Sequence, residues 1–597
     1  MSSRFLALMG DAERLASLRA DLAGIRGMSL HEVAPDLFVV TNSDLKLHHL
    51  ADQSGVVLGT LFHRYGASRE VETLPIPDAD AVAKTRGRFL LDRYWGRYLA
   101  VLRSGDGLLA FRDPTGMFPC VYVEGEGLIA LASEPSLIAA LGLIEPEVDT
   151  LAVARSLLLC GLPEENTALR GIRRLLPGTR LERYDRLTTT VATWSPWNYE
   201  SQDSVDSVEE QAEKLRRISQ HCIAAWSNKY DHGLLGLSGG LDSSIVAVGL
   251  VKAGNHLSGL TLITDDPLGD ERRYCDIVTQ HLGLPIFSEK YDLAEIDLDR
   301  SSVAHLPTPF GRMDSMAYDA ALTKIGRQVQ ANAIFSGNGG DNVFYLSRSA
   351  RALADRIMAE GLSLGALETA QDICRLTGTN IFSVAKHAVQ AWRAASAGYD
   401  WQIDRTFLSQ SIATDKILCA VNHPWLSAPC GRNLPGKAAH IAMIVRMQHS
   451  LDAYYERGGT EVIHPLVSQP ILEFCLGIPT WYQCEGGRDR SVARRAYARE
   501  LPAKIIERRG KGSPQGFIYQ IFYRYRAEIR ERIMDGFLGG AGLIDRRAVE
   551  ATLRSDHRLT DAEVLRLMLF VDTEAWIRHW RLRNVHAGEG LNGARTA

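Results

Sequence analysis

Residues 237–250 read LSGGLDSSIVAVGL: the end of an apolar strand, then two glycines, an aspartate and three serines, then an apolar helix. Gly239 and Gly240 permit φ > 0 and let a ligand approach the backbone. Loop N–H groups and the first N–H groups of the helix then converge on one point, which makes a nest for an anion. Ser238, Ser243 and Ser244 add hydroxyl donors. The stretch lacks GxxxxGK[ST], so it is not a Walker A loop, which reaches the terminal phosphates with a lysine. A bare SGG is equally a serine-capped turn. The full SGGLDSS after a buried strand reads as an anion-binding loop.

The surroundings repeat this alternation. From residue 231 the strands GLLGL, LSGLTLIT and AIFSG are separated by the helical patterns DERRYCDIVTQHLGL, which Gly283 and Pro285 stop, and DSMAYDAALTKIGRQVQ. Strands alternating with helices predict a parallel sheet, with a helix beginning near Ser243. Residues 345–460 and 485–585 read as mostly helical. Residues 30–190 differ: GRFLLDRYWGRYLAVLRSGDGLLAFRDP reads as strands around a Ser-Gly-Asp-Gly hairpin, and GLIALASEPSLIAAL changes from strand to helix. The Trp/Pro-rich TWSPWNYE (Thr193–Glu200) marks a boundary, followed by a helix in SVEEQAEKLRRISQHCIAAW. We expect one domain over 1–195, a second over 200–585, and a tail without structure over 586–597.

A chain of 597 residues exceeds one hydrophobic core. A net charge of -4 supplies no basic field, which argues against nucleic acid as the main partner. Nine scattered cysteines without a CxxC pair fit reduced thiols and a cytoplasmic setting. No apolar run approaches ~18 residues, so no membrane span is expected. The histidines show no HExxH or Cys/His spacing, which removes zinc.

SGGLDSS resembles the PP-loop of the ATP pyrophosphatase family, whose members release AMP and pyrophosphate. The resemblance implies that the loop grips the leaving pyrophosphate, which accounts for the missing lysine. IFSGNGGDNVF (334–344) resembles the asparagine synthetase motif that supplies a second metal-binding aspartate. By that resemblance Asp242 and Asp341 flank one Mg²⁺ that bridges the phosphates of ATP. Nucleotide contacts then fall on Leu237, Ser238, Gly239, Gly240, Asp242, Ser243, Ser244, Ile263, Ser336 and Gly337. Hard oxygen ligands from two carboxylates and phosphate suit Mg²⁺. Asn342 stands where an acidic residue is usual and receives no role.

The first domain resembles the glutaminase fold of asparagine synthetases around LLAFRDPTGMFPCVYV and ALASEPSLIAAL. Its nucleophile, a cysteine after the initiator methionine, is replaced by Ser2, and the first cysteine is Cys120. The expected fold is therefore α/β: a degenerate class II glutaminase-like (Ntn-type) domain and a PP-loop synthetase domain with helical additions. Two families of this kind close rings, β-lactam synthetases and lasso-peptide cyclases. GGTEVIHPLVSQPILEFCLGIPTW (458–481), GGRDRSVARRAYARELP (486–502) and IIERRGKGSPQGF (505–517) resemble the second.

That resemblance implies macrolactam formation. ATP·Mg²⁺ activates an Asp or Glu side chain of a precursor core peptide, and the peptide's N-terminal amine attacks it. A leader peptidase and a leader-binding protein are the implied partners. Lys511 in RGKGSP matches the active-site lysine and Glu461 a family glutamate, and both are expected to be catalytic. Each also has a plainer reading, as an exposed loop lysine and a surface carboxylate. Most of the arginines of GGRDRSVARRAYARELP read as the solvated face of a helix. A β-lactam synthetase, an ammonia-fed asparagine synthetase and a non-catalytic scaffold remain open alternatives.

Overall fold

The computed structural model describes residues 4–594 apart from 105–106, 126, 185–186, 200–205, 268, 396–398, 428–433, 454–455, 458 and 555–558. Ser2 lies outside them. The first domain contains two six-stranded antiparallel sheets. One runs in the order Arg173–Arg174, Val121–Gly125, Leu128–Ala132, Phe5–Gly10, Leu37–Thr41, Ser29–Ala34. The other runs Leu187–Ala192, Thr179–Tyr184, Gly107–Arg112, Tyr94–Ser104, Gly55–His63, Leu47–His49.

Strand alternation builds the layers. Phe5, Ala7 and Met9 pack inward against Val56, Leu58, Leu99 and Val101 of the other sheet. Leu6 and Leu8 face outward onto Leu15, Leu18 and Leu22 of the helix Ala12–Ala23. On the far side, Val57, Leu61 and Leu102 meet Val82 and Leu90 of the helices Ile76–Lys84 and Arg88–Arg93. The result is a helix–sheet–sheet–helix sandwich. Residues 88–93, expected as strand, form one of those helices. Arg86 (φ 53°) and Gly87 (φ 86°) turn the chain there, and pairing begins only at Tyr94.

The second domain carries a six-stranded sheet in the order Ile286–Lys290, His256–Ile263, His232–Gly236, Ala333–Ser336, Thr460–Ile463, Glu456–Arg457. Its first five strands are parallel and the last is an antiparallel edge. Leu234, Leu260, Ile334 and Val462 pack on Leu322 and Ile325 of the helix Ser315–Gln328. Leu235, Phe335 and Ile463 pack on Ile245 and Val246 of the helix Leu241–Lys252. That helix is buried from Leu241 to Leu250, which suits its nearly unbroken apolar sequence.

Sequential strands lie on opposite sides of His232–Gly236, so its carboxyl end is a switch point where a crevice opens. The loop 237–240 sits there. The C-terminal helix Asp561–Ala594 runs through most of the tail expected to be unstructured, and 595–597 lie outside the described residues. Its part up to Trp580 is anchored by Val564, Leu567, Val571, Trp576 and Trp580, and elongation from an anchored helix is easier than nucleation. No helix of the described residues is long and apolar enough to cross a membrane.

Candidate active site

Gly240, in extended conformation (φ −77°, ψ 164°), precedes the helix Leu241–Lys252, and no described side chain caps it. The first N–H groups of that helix are therefore left to a ligand. Gly239 has φ 59°, and a Cβ there would fall 2.5 Å from Cβ of Tyr274, so glycine is required on both counts. The Ser238 and Ser243 hydroxyls lie 3.3 Å apart at the mouth of the loop. The Ser244 hydroxyl instead donates 2.7 Å back to the Gly240 carbonyl, inside its own helix.

The second loop follows the neighbouring strand, Ala333–Ser336, and two glycines press it onto the first. A Cβ on Gly337 would lie 2.5 Å from the Ser243 nitrogen, and one on Gly340 would lie 2.5 Å from Cγ of Asp242. Asp341 thereby comes beside Asp242. Between them sits a cation that the sequence reading did not single out. Nη1 of Arg490 donates 3.0 and 3.1 Å to the two Asp242 oxygens and also to Oδ1 of Asp341. Burial pushes the Asp242 carboxyl above the ordinary carboxylate range; Arg490 opposes that rise and neighbouring Asp341 adds to it.

Arg490 is itself held. Its Nε donates 3.1 Å to Asp489, which also accepts 2.8 Å from buried Arg494. The expected solvated face is thus wrong for these two arginines. Gly486 (φ 73°), Gly487 (φ 68°) and Arg490 itself (φ 50°) turn the chain before the helix Ser491–Ala496 begins. The paired glycines of GGRDR were the available signal that Arg490 precedes the helix.

The loop with Lys511 closes one side. Lys511 Nζ is 3.9 Å from Oδ2 of Asp341, with its side chain 63% exposed. The loop is fastened by Arg508, also not anticipated. That guanidinium donates 2.9 Å to the Ser238 carbonyl, 2.7 Å to the Gly510 carbonyl and 2.5 Å to Glu271, and lies 3.8 Å over the Tyr274 ring. The Gly512 N–H donates 2.9 Å to the same Glu271 oxygen.

These parts enclose a cavity of about 610 Å³. Of the expected residues, Leu237, Ser238, Gly240, Asp242, Ser243, Ser336, Gly337, Asp341 and Lys511 line it. Gly239, Ser244, Ile263 and Glu461 do not. Gly239 backs onto Tyr274, and Ser244 is turned into its helix. Leu260, Thr261 and Leu262 form the wall beside Ile263, whose carbonyl accepts 3.2 Å from the Tyr291 N–H.

Glu461 is the main correction. Alternation along Thr460–Ile463 sends Val462, and His464 beyond it, to the cavity and Glu461 to the other face. There its carboxylate pairs with Arg97 of the first domain and accepts a hydrogen bond from the Tyr230 hydroxyl, all three buried. Its placement makes it an interdomain tie rather than a catalytic group.

Among the described residues no group of three or more His, Cys, Asp or Glu is placed to hold a metal ion. Two carboxylates beside an open helix N-terminus fit a cation that completes its shell with phosphate and water, as Mg²⁺ does.

A loop with uncapped helix N–H groups at the switch point of a parallel sheet, joined to a second acidic loop, is an arrangement in which α/β domains bind ligands. Residues 234–578 match the asparagine synthase family, and the chain belongs to it. It is 26% identical over 240 residues to the carboxyethyl-arginine beta-lactam-synthase of Streptomyces clavuligerus, a match covering 39% of this chain and 44% of that protein. The chain thus spans less than half of that relative. Among solved structures, the glutamine phosphoribosylpyrophosphate amidotransferase of B. subtilis matches at 12% identity, covering 56% of this chain and 90% of that one, with a TM-score of 0.21. An allosteric regulatory enzyme of purine biosynthesis matches at 11% identity, covering 56% and 83%, with a TM-score of 0.19. Scores this low relate no folds, and the sandwich is assigned from its own topology and packing.

Proposed function

We propose that this protein is an ATP-dependent, AMP-forming carbon–nitrogen ligase that closes a macrolactam ring in a lasso-peptide precursor. The observation that carries the reading is the convergence of an uncapped helix N-terminus, the Asp242–Asp341 pair and Lys511 on one cavity. In this reading an Asp or Glu carboxylate of the core peptide attacks the α-phosphate of ATP, and pyrophosphate leaves into the nest of residues 238–243. Asp242 and Asp341 would hold an Mg²⁺ ion, which would offset phosphate charge. The peptide's own N-terminal amine then attacks the acyl-adenylate carbonyl, forming an isopeptide bond and releasing AMP. Lys511 stabilises charge that builds on the carbonyl oxygen and the departing phosphate.

The amine comes from the substrate rather than from glutamine. Ser2 stands where the glutaminase fold carries its cysteine nucleophile, and the first cysteine, Cys120, is buried between the two sheets. A leader peptidase and a leader-binding protein are the partners this reading implies.

The similarity to a beta-lactam-synthase favours a second reading, in which the same machinery closes a small ring in a small molecule. Mass spectrometry of precursor peptides incubated with protein, ATP and Mg²⁺ separates the two. Loss of one water from a peptide supports the first reading. Loss of one water only from a small β-amino acid supports the second.

A further inference from the structure

The Asp242–Asp341 pair already has a cation. Nη1 of Arg490 lies 3.0 and 3.1 Å from the two Asp242 oxygens and bonds Asp341 as well. A divalent ion at about 2.1 Å from its oxygen ligands would need the same lone pairs and the same space. Guanidinium and metal therefore exclude one another. We propose that Arg490 bars divalent cations from the nucleotide-free protein, so that metal gains the two aspartates only together with a polyphosphate. This rests on the reading of those aspartates as metal ligands.

Three features keep Arg490 in place. Its Nε is bonded 3.1 Å to Asp489, and Asp489 is in turn fixed by Arg494. Its backbone (φ 50°, ψ 41°) is left-handed, a conformation that a non-glycine residue holds only where its surroundings fix it. Its charge cannot be removed by deprotonation. A metal ion arriving alone would have to expel a guanidinium into a cavity that also holds Lys511, Arg508 and Arg509. A nucleoside triphosphate arriving with the metal supplies anionic oxygens to receive it. Binding of metal and nucleotide is then coupled, and couplings of this kind typically change affinity by about 5- to 150-fold.

The test is Mn²⁺ binding, followed by electron paramagnetic resonance without turnover. The wild type should take up Mn²⁺ at this site only with the non-hydrolysable analogue α,β-methylene-ATP. Arg490→Gln should bind Mn²⁺ without nucleotide about tenfold or more tighter than the wild type, within the usual range of such coupling. Because removing a buried cation can unfold the domain, Asp489→Asn, which keeps Arg490 but loosens its anchor, should show a smaller gain in the same direction. Equal nucleotide-free Mn²⁺ affinity in all three proteins, each folded by circular dichroism, overturns the proposal. Failure of the wild type to bind Mn²⁺ even with the analogue overturns the metal reading itself.

Discussion

Gly340 lies so close to Asp242 that a Cβ on it would stand 2.5 Å from the carboxylate carbon. The absence of that one carbon lets the two acidic loops share a site. Gly340→Ala must therefore move Asp242 or the 337–341 loop, since overpacking of this kind costs about 1–3 kcal/mol. We expect a folded protein with a melting temperature lowered by a few degrees and a much larger loss in Mg²⁺·ATP affinity. Calorimetric titration beside thermal melting reads both, and ATP affinity left at wild type would show that the contact does not set the site.

Arg97 and Glu461 join the domains through a buried ion pair. Removing one partner of such a pair typically costs 3–5 kcal/mol because the other charge is left buried, while replacing both with apolar groups is often neutral. Glu461→Leu should lower stability by roughly that amount, and Arg97→Met with Glu461→Leu should recover most of it. The double variant should also keep its ligase activity. Recovery of stability with activity still lost would return Glu461 to the catalytic groups.

Lys511 reaches Asp341 only at 3.9 Å and is mostly exposed, so it contributes little to the ligand-free fold. A cation that acts in the transition state is worth ~3 kcal/mol, a hundredfold or more in rate. Lys511→Ala should bind ATP normally and make little or no cyclic product, with Lys511→Arg recovering only part because a planar fork does not replace a compact ammonium. Product by mass spectrometry and ATP affinity by calorimetry decide it. A collapse of ATP binding would move Lys511 to the phosphates.

In the first domain the buried Cys120 thiol, held up to about 12, should resist iodoacetamide at pH 8 in the native protein and react only on unfolding. Pure protein should release no glutamate from glutamine. Glutamate release would contradict the ring-closing account of the nitrogen source.

The anion loop and the parallel sheet were legible because SGGLDSS and the strand–helix alternation are local patterns, each set by neighbours in sequence. The Asp242–Asp341 pairing was also legible, since both residues lie in motifs that resemble a family. What escaped was set by distant partners. Thr460–Ile463 is four residues long, too short for alternation to tell which face meets the cavity, and Arg97, which claims Glu461, comes from the other domain. Arg490 and Arg508 sit among other arginines, and only the turn at Gly486–Gly487 and the contact with Ser238 distinguish them. Residues 88–93 carry a strand-like composition but follow a left-handed turn that sets them helical.

The central claim is that a carboxylate is activated at the α-phosphate of ATP between Asp242 and Asp341. Pyrophosphate exchange tests it most directly: labelled pyrophosphate should enter ATP only when Mg²⁺ and a cyclisable carboxylate substrate are both present. Asp341→Ala should abolish the exchange, and added Mg²⁺ should not restore it. Formation of ADP and phosphate instead, or undiminished exchange in Asp341→Ala, would contradict the account.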